Sequence, residues 1–133
     1  MSHLKEHIQK VSKVQLFSND LHLLTTAKDK SILIWDLTKE KRIASYQITM
    51  GGVNNFQLSP ADENVLITVG QDRKITHWDL RQPKPARVIS SNPFNKLDLA
   101  DELFGLAISN DGRYLATGGT LGIIRVWDIN SGL

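Results

Sequence analysis

The sequence predicts an all-β protein made of three consecutive units of short antiparallel strands. Three short apolar segments end in the same dipeptide, at Trp35-Asp36, Trp78-Asp79 and Trp127-Asp128. The tryptophans are 43 and then 49 residues apart, and a threonine stands ten residues before each of them, at Thr25, Thr68 and Thr117. A repeat of this length, with several short strands separated by turn-forming residues, is typical of a repeated β architecture.

The apolar pattern places the strands of each unit. We predict strands near 10–17, 21–27, 31–36 and 42–48 in the first unit, near 52–58, 65–69, 74–79 and 85–90 in the second, and near 103–109, 114–118 and 122–128 in the third. Apolar residues alternate along the first strand of each unit, and clusters such as SND and SPADEN supply the turns. We expect one domain with units at about 7–48, 49–90 and 99–133, the last of them incomplete.

The segment 91–102, SSNPFNKLDLAD, is longer than a normal link between such units. Its Asn92-Pro93 pair disfavours a strand, and the run KLDLADEL is compatible with a helical turn. Long insertions on one rim of a repeat protein often serve as contact sites.

From about His7 to Asp128 the chain resembles the WD-repeat β-propeller family. The resemblance rests on the Trp-Asp pairs, the threonines in register with them, and the aspartates that stand six residues before Trp35 and Trp78. It implies three four-stranded propeller blades, the last incomplete, and therefore a partial propeller.

The resemblance also implies a hydrogen-bonded tetrad inside each blade. An indole N–H can only donate, a threonine hydroxyl can accept it, and a histidine can connect that hydroxyl to a carboxylate. The first copy is complete, the second has Thr49 in place of the histidine, and the third has Leu99 and Leu121 in place of the histidine and the aspartate. The tetrad residues are His7, Thr25, Asp29 and Trp35 in the first copy, Thr68, Asp72 and Trp78 in the second, and Thr117 and Trp127 in the third. We interpret all of them as structural.

Composition argues against several other functions. The chain has 133 residues, a formal net charge of +2 with interspersed charges, and no cysteine. This composition predicts neither nucleic-acid binding nor a thiolate metal site, and we see no signal peptide and no apolar run long enough for a membrane span. No arrangement of nucleophile and base, paired carboxylates or metal ligands emerges, so we expect a cytoplasmic protein that is not an enzyme and holds no cofactor or metal.

We therefore predict a platform that binds other proteins. Propeller blades present turns on a rigid scaffold, and we expect partners to contact the turns between second and third strands, at Lys28, Lys30, Gln71, Arg73 and Thr120. The motif Trp78-Asp79-Leu80-Arg81 resembles a box found in substrate receptors of cullin-type ubiquitin ligases. That resemblance implies a cullin-ligase adaptor as partner, with Arg81 offering a forked donor to a carboxylate.

A narrower resemblance connects the chain with ciliary and flagellar WD-repeat proteins that line axonemal microtubules. It rests on LITVGQDRKITHWD and ATGG…VWDINSG, and most strongly on the run from Gly70 to Ile75. It implies a structural role in the cilium or cytoskeleton, with tubulin or axonemal proteins as partners.

Three blades do not close a propeller, because closure usually takes four to eight. An open array leaves blade faces and strand edges uncovered. We expect either a piece of a longer protein or a chain that completes itself by association, and we favour the piece. In isolation such a chain should self-associate.

Overall fold

The computed structural model describes residues 10–17, 21–27, 31–47, 52–82, 84–90 and 101–129, and these form eleven strands in three antiparallel sheets. The first sheet contains β1 (Val11–Phe17), β2 (His22–Ala27), β3 (Ser31–Asp36) and β4 (Lys41–Gln47). The second contains β5 (Val53–Leu58), β6 (Val65–Gly70), β7 (Lys74–Asp79) and β8 (Arg87–Ser90). The third contains β9 (Leu103–Ile108), β10 (Tyr114–Gly119) and β11 (Ile124–Asp128). The strands pair in chain order, which confirms the predicted all-β fold of blade-like sheets.

Two strands begin two residues later than the sequence predicts, and backbone chemistry explains both cases. Strand β8 starts at Arg87 rather than at residue 85, because proline has no N–H to donate to a ladder. Strand β11 starts at Ile124, because Gly122 has a positive φ of 75° in the preceding turn. The run KLDLADEL, for which the sequence allowed a helical turn, lies mostly in residues 91–100, outside the described part. Its last residues are described, and Asp101 and Glu102 are not helical, so the helical turn does not extend to them.

The sheets pack face to face through two apolar cores. One core joins the first and second sheets and contains Leu24, Ile32, Ile34, Tyr46, Val53, Phe56, Leu66 and Trp78. The other joins the second and third sheets and contains Ile67, Val69, Ile75, Leu103, Leu115 and Trp127. Strand β5 contacts both β1 and β9, so the first strands of the three sheets lie side by side and the sheets fan outwards as propeller blades do.

Polar side chains connect these three inner strands. The Lys13 ammonium donates to Asn55 Oδ1 at 3.0 Å and to the carbonyl of Phe56 at 2.7 Å. Asn55 Nδ2 donates in turn to the carbonyl of Phe104 at 2.8 Å. Burial lowers the pKa of Lys13. The inner strands are thus held in register by hydrogen bonds that run from one blade to the next, in addition to the apolar cores.

In the part of the chain that the structure describes, there is no helix with the length and apolar character needed to span a bilayer.

We expect His77 on β7 to make the stability of the fold depend on pH. Burial lowers its pKa, and the nearby Arg87 lowers it further, while Asp79 acts in the opposite direction. The folded state therefore binds a proton less readily than the unfolded chain, whose histidines titrate near pH 6.5. Under this linkage the free energy of unfolding is highest above about pH 6.5 and falls as the pH drops towards the lower pKa of the folded state.

We expect urea unfolding, followed by circular dichroism between about pH 7.5 and pH 6, to show this loss of stability. Substitution His77→Gln should make the slope of unfolding free energy against pH shallower. Equal slopes for the two proteins would show that another group is responsible.

Candidate protein-binding surface

The indole of each Trp-Asp pair donates to the threonine ten residues before it. The Nε1 to Oγ1 distances are 2.9 Å for Trp35 and Thr25, 3.0 Å for Trp78 and Thr68, and 3.1 Å for Trp127 and Thr117. All six residues are buried. The cross-strand register explains the geometry, because the third strand of each sheet pairs with the second and carries the indole next to the hydroxyl. These bonds lie inside the sheets, where they satisfy a buried donor rather than face a partner.

Of the remaining tetrad residues, the structure describes only Asp72. His7 and Asp29 lie outside the described residues, so the complete tetrad of the first copy stays a prediction. Asp72 is described, and its Oδ1 accepts the backbone N–H of Lys74 at 3.1 Å. Burial raises the pKa of Asp72, and the Lys74 N–H bond partly offsets that effect. The carboxylate shapes the turn between β6 and β7.

The turn between the second and third strands is tied to the start of its own blade in the same way in two sheets. In the second sheet the N–H of Gln71 donates to the carbonyl of Gly52 at 3.0 Å, and Gln71 Oε1 accepts the N–H of Gly52 at 2.8 Å. In the third sheet the N–H of Thr120 donates to the carbonyl of Glu102 at 3.1 Å. Both turns are therefore fixed to the segment that precedes the inner strand.

Asp101 completes this connection in the third sheet. Its side chain is buried, and its Oδ1 accepts the Thr120 hydroxyl at 2.6 Å and the N–H of Leu121 at 3.2 Å. Sequence reasoning missed Asp101 because the histidine place of the third copy falls on Leu99, two residues earlier. The available signal was a carboxylate two residues before an apolar strand, together with a threonine in the turn that follows the next strand.

The residues predicted to face partners lie in these turns. Gln71, Arg73 and Thr120 are exposed at their tips, although Gln71 and Thr120 also form the internal hydrogen bonds described above. Arg73 has a positive φ of 60°, and its N–H donates to the carbonyl of Gly70 at 3.2 Å, which closes the turn. Lys28 and Lys30 lie outside the described residues. Contact between any of these side chains and a partner stays a prediction.

Arg81 is exposed, but its guanidinium already holds a carboxylate. Its Nε donates to Asp79 Oδ1 and its Nη2 to Asp79 Oδ2, both at 2.9 Å. The hydrogen bonds from Arg81 lower the pKa of Asp79, and the same pairing raises the pKa of Arg81. A partner carboxylate would have to share this fork with Asp79 or displace it.

A cleft lies beside Arg81, where the first and second sheets meet. It has a volume of about 310 Å³ and is lined by Ala44, Ser45, Tyr46, Leu80, Arg81 and Gln82. The Tyr46 hydroxyl donates to the carbonyl of Leu80 at 2.6 Å, and its ring meets that of Trp78 edge to face. The two blades are thereby fixed to each other at this rim. Among the residues that the structure describes, no group of three or more metal-ligating side chains converges.

The fanned sheets and their threonine–tryptophan bonds define a propeller-like β protein built from repeats. Residues 1–36 and 99–128 match the family described as WD domain, G-beta repeat. The chain therefore carries WD repeats, and the resemblance to the WD-repeat β-propeller family is confirmed.

Comparison with individual proteins finds relatives that are named for cilia and flagella and for the methylosome. The chain is 29% identical over 129 residues to human cilia- and flagella-associated protein 52, covering 97% of this chain and 20% of that protein. It is 30% identical over 132 residues to the Chlamydomonas reinhardtii protein of the same name, again covering 97% and 20%. It is 32% identical over 81 residues to methylosome protein WDR77 of Xenopus laevis, covering 61% of this chain and 24% of that protein. The chain thus spans about a fifth to a quarter of the length of these relatives.

Proposed function

We propose that this chain is a non-catalytic protein-binding module of a WD-repeat scaffold that acts in the cilium, on axonemal microtubules or the proteins attached to them. One observation carries the proposal: similarity to cilia- and flagella-associated proteins extends over 97% of the chain in relatives from an alga and from a mammal. WD repeats indicate a protein-interaction scaffold.

We further propose that the three blades form one partial propeller domain, with blade limits at about 7–48, 49–90 and 99–133. We place this domain in the cytoplasmic space that contains the axoneme.

The turns between second and third strands are the contact surface that we favour. In the second and third blades the backbones of these turns are fixed by hydrogen bonds to the start of the same blade, so little conformational entropy is lost when a partner binds there. Arg73 and Lys74 are exposed at one of these turns. An acidic protein surface is therefore the chemistry that this rim fits, and the binding should weaken as the salt concentration rises.

Co-sedimentation with purified microtubules and with salt-washed axonemes tests the proposal. We expect the chain to sediment with at least one of them. Arg73→Glu should weaken binding about tenfold, because it reverses a charge in the proposed contact, and a tenfold change corresponds to about 1.4 kcal/mol.

Lys84→Glu is the matched control. Lys84 is also an exposed cation, but it lies between β7 and β8, at the end of the sheet opposite Arg73. The Lys84→Glu variant should therefore sediment with microtubules or axonemes as strongly as the parent chain does. Absence of sedimentation in both assays, or equal loss in both variants, would contradict the proposed surface.

The alternative role, a substrate receptor of a cullin-type ubiquitin ligase, depends on Arg81. The pairing of Arg81 with Asp79 makes it less favoured, since two donors of the fork are already used. Capture of a cullin adaptor that is lost in Arg81→Ala would support the receptor role instead of the ciliary one.

A further inference from the structure

The outer strand of the first blade contains a serine that is open to solvent. Ser45 lies on β4 and is exposed, whereas its neighbours Ala44 and Tyr46 are half-buried and buried. Strand β4 is the last strand of its sheet, so among the described strands only β3 pairs with it. Within the described residues the Ser45 hydroxyl has no hydrogen-bond partner. An enzyme can therefore reach this hydroxyl without breaking a side-chain contact.

The exposure of Ser45 does not depend on whether another blade precedes the first one. Ser45 pairs with Leu33 of β3, and the equivalent pair in the second blade is Val88 and Thr76. The second blade packs against a blade on each side, yet Val88 is still 49% exposed. The packing of blades thus leaves this place on the outer strand open, and Ser45 stays accessible in a longer propeller as well.

A β-bulge in β4 brings a guanidinium onto the face of Ser45. Residues three apart in a regular strand point to opposite faces of the sheet. Here Ile43 is an extra residue, so Arg42 pairs with Trp35 of β3. Because Trp35 and Leu33 are two residues apart on one strand, Arg42 and Ser45 lie on the same face. An enzyme that approaches this face meets the cation and the hydroxyl together.

The segment around Ser45 has the charge pattern that one class of serine kinases selects. Lys41 and Arg42 stand four and three residues before Ser45, and the segment from Lys41 to Gln47 contains no acidic residue. Such kinases bind their substrate as an extended chain, and carboxylates beside the catalytic cleft hold the guanidinium. Strand β4 already has an extended backbone at the outer edge of its sheet. The segment is therefore preformed for recognition of this kind.

We propose that Ser45 is a phosphorylation site for a serine kinase that recognises an arginine three residues before the hydroxyl. The Ser45 oxygen attacks the γ-phosphorus of ATP, the bond from that phosphorus to the β,γ-bridging oxygen breaks, and ADP leaves. The hydroxyl proton passes to the catalytic base of the kinase. The phosphate adds about two negative charges at neutral pH, beside the Arg42 donors. One phosphate therefore offsets the formal net charge of +2.

Incubation of the complete, folded chain with ATP and the catalytic subunit of cyclic-AMP-dependent protein kinase tests the proposal. We expect mass spectrometry to find phosphate on Ser45, and Ser45→Ala to lose that modification. Arg42→Gln should lower the rate of Ser45 phosphorylation by about tenfold, because a charge-assisted contact with the kinase is lost. Lys39→Gln is the matched control. Lys39 is an exposed cation six residues before Ser45, and its substitution should leave the rate unchanged.

Thr68→Val shows whether the kinase acts on the folded chain. This variant removes the acceptor of the Trp78 N–H in the second blade, so it raises the unfolded population without changing β4. Equal rates of Ser45 phosphorylation in this variant and the parent chain support the proposal. A rate that rises with the unfolded population overturns it, because the site would then be available only in the unfolded chain. A rate that is independent of Arg42 also overturns it, as does phosphate found only on Ser90, the other serine with an arginine three residues before it.

Discussion

Replacing Trp78 with alanine is expected to remove a large part of the stability of this fold. Trp78 is fully buried and belongs to the core that joins the first and second blades, where its ring meets Tyr46. Truncating a buried tryptophan to alanine lowers the free energy of unfolding by about 3–5 kcal/mol, because apolar contacts are lost and a cavity remains. Since domains of this size are stable by about 5–15 kcal/mol, the variant should be largely unfolded at moderate urea concentrations. Urea unfolding monitored by far-ultraviolet circular dichroism measures the loss.

Thr68→Val separates the indole hydrogen bond from the packing of the ring. Valine keeps the shape of threonine but cannot accept the Trp78 N–H, which now lies 3.0 Å from Thr68 Oγ1. The loss should be about 1–3 kcal/mol, the usual effect of leaving a buried donor without an acceptor. If Trp78→Ala is no more destabilising than Thr68→Val, the indole ring contributes little beyond its hydrogen bond, and the proposed role of Trp78 in the core is wrong.

The strand pattern was predictable because local chemistry determines it. Apolar alternation and turn residues give all eleven strand starts to within two residues, and the two largest differences are at β8, which Pro85 delays, and at β11, which follows the turn at Gly122. The threonine–tryptophan register was visible for a similar reason, since antiparallel pairing of two short adjacent strands fixes which residues lie opposite each other.

The connections between distant segments were harder to predict. Asp101 contacts Thr120, which lies 19 residues further along the chain, and Asn55 contacts Phe104 in another blade. The residue types in these pairs differ from those at the equivalent places of the other copies, so an alignment of the repeats by residue type does not reveal the contacts. The same holds for Gln71 and Arg81, which the sequence predicts as partner-facing and which the structure also gives intramolecular hydrogen bonds. Partner contact at these residues stays a prediction.

Adjacent glycines in β10 should respond in opposite ways to the same substitution. A methyl group at Gly119 would overlap with the carbonyl oxygen of Glu102 and with the carboxylate of Asp101. That carbonyl accepts the N–H of Thr120, and Asp101 accepts the Thr120 hydroxyl, so Gly119→Ala should displace the segment that positions the turn. Because backbone atoms and a buried carboxylate cannot move aside easily, we expect the free energy of unfolding to fall by about 2–3 kcal/mol.

Gly118→Ala is the matched control, one residue away on the same strand. An added methyl there would have its nearest neighbour at 4.0 Å, the carbonyl oxygen of Ile123, which is ordinary contact. Alanine also restricts the unfolded chain, so the change should be neutral or stabilising by up to about 1 kcal/mol.

Gly70, at the equivalent position of the second blade, faces the carbonyl of Gly52 in the same way as Gly119 faces that of Glu102, and Gly70→Ala should therefore resemble Gly119→Ala. The first blade has a buried alanine at this position, Ala27. If Gly119→Ala and Gly118→Ala are equally stable in thermal and urea unfolding, the close approach of β10 to the segment before β9 does not constrain residue 119, and the proposed fixing of the turn fails.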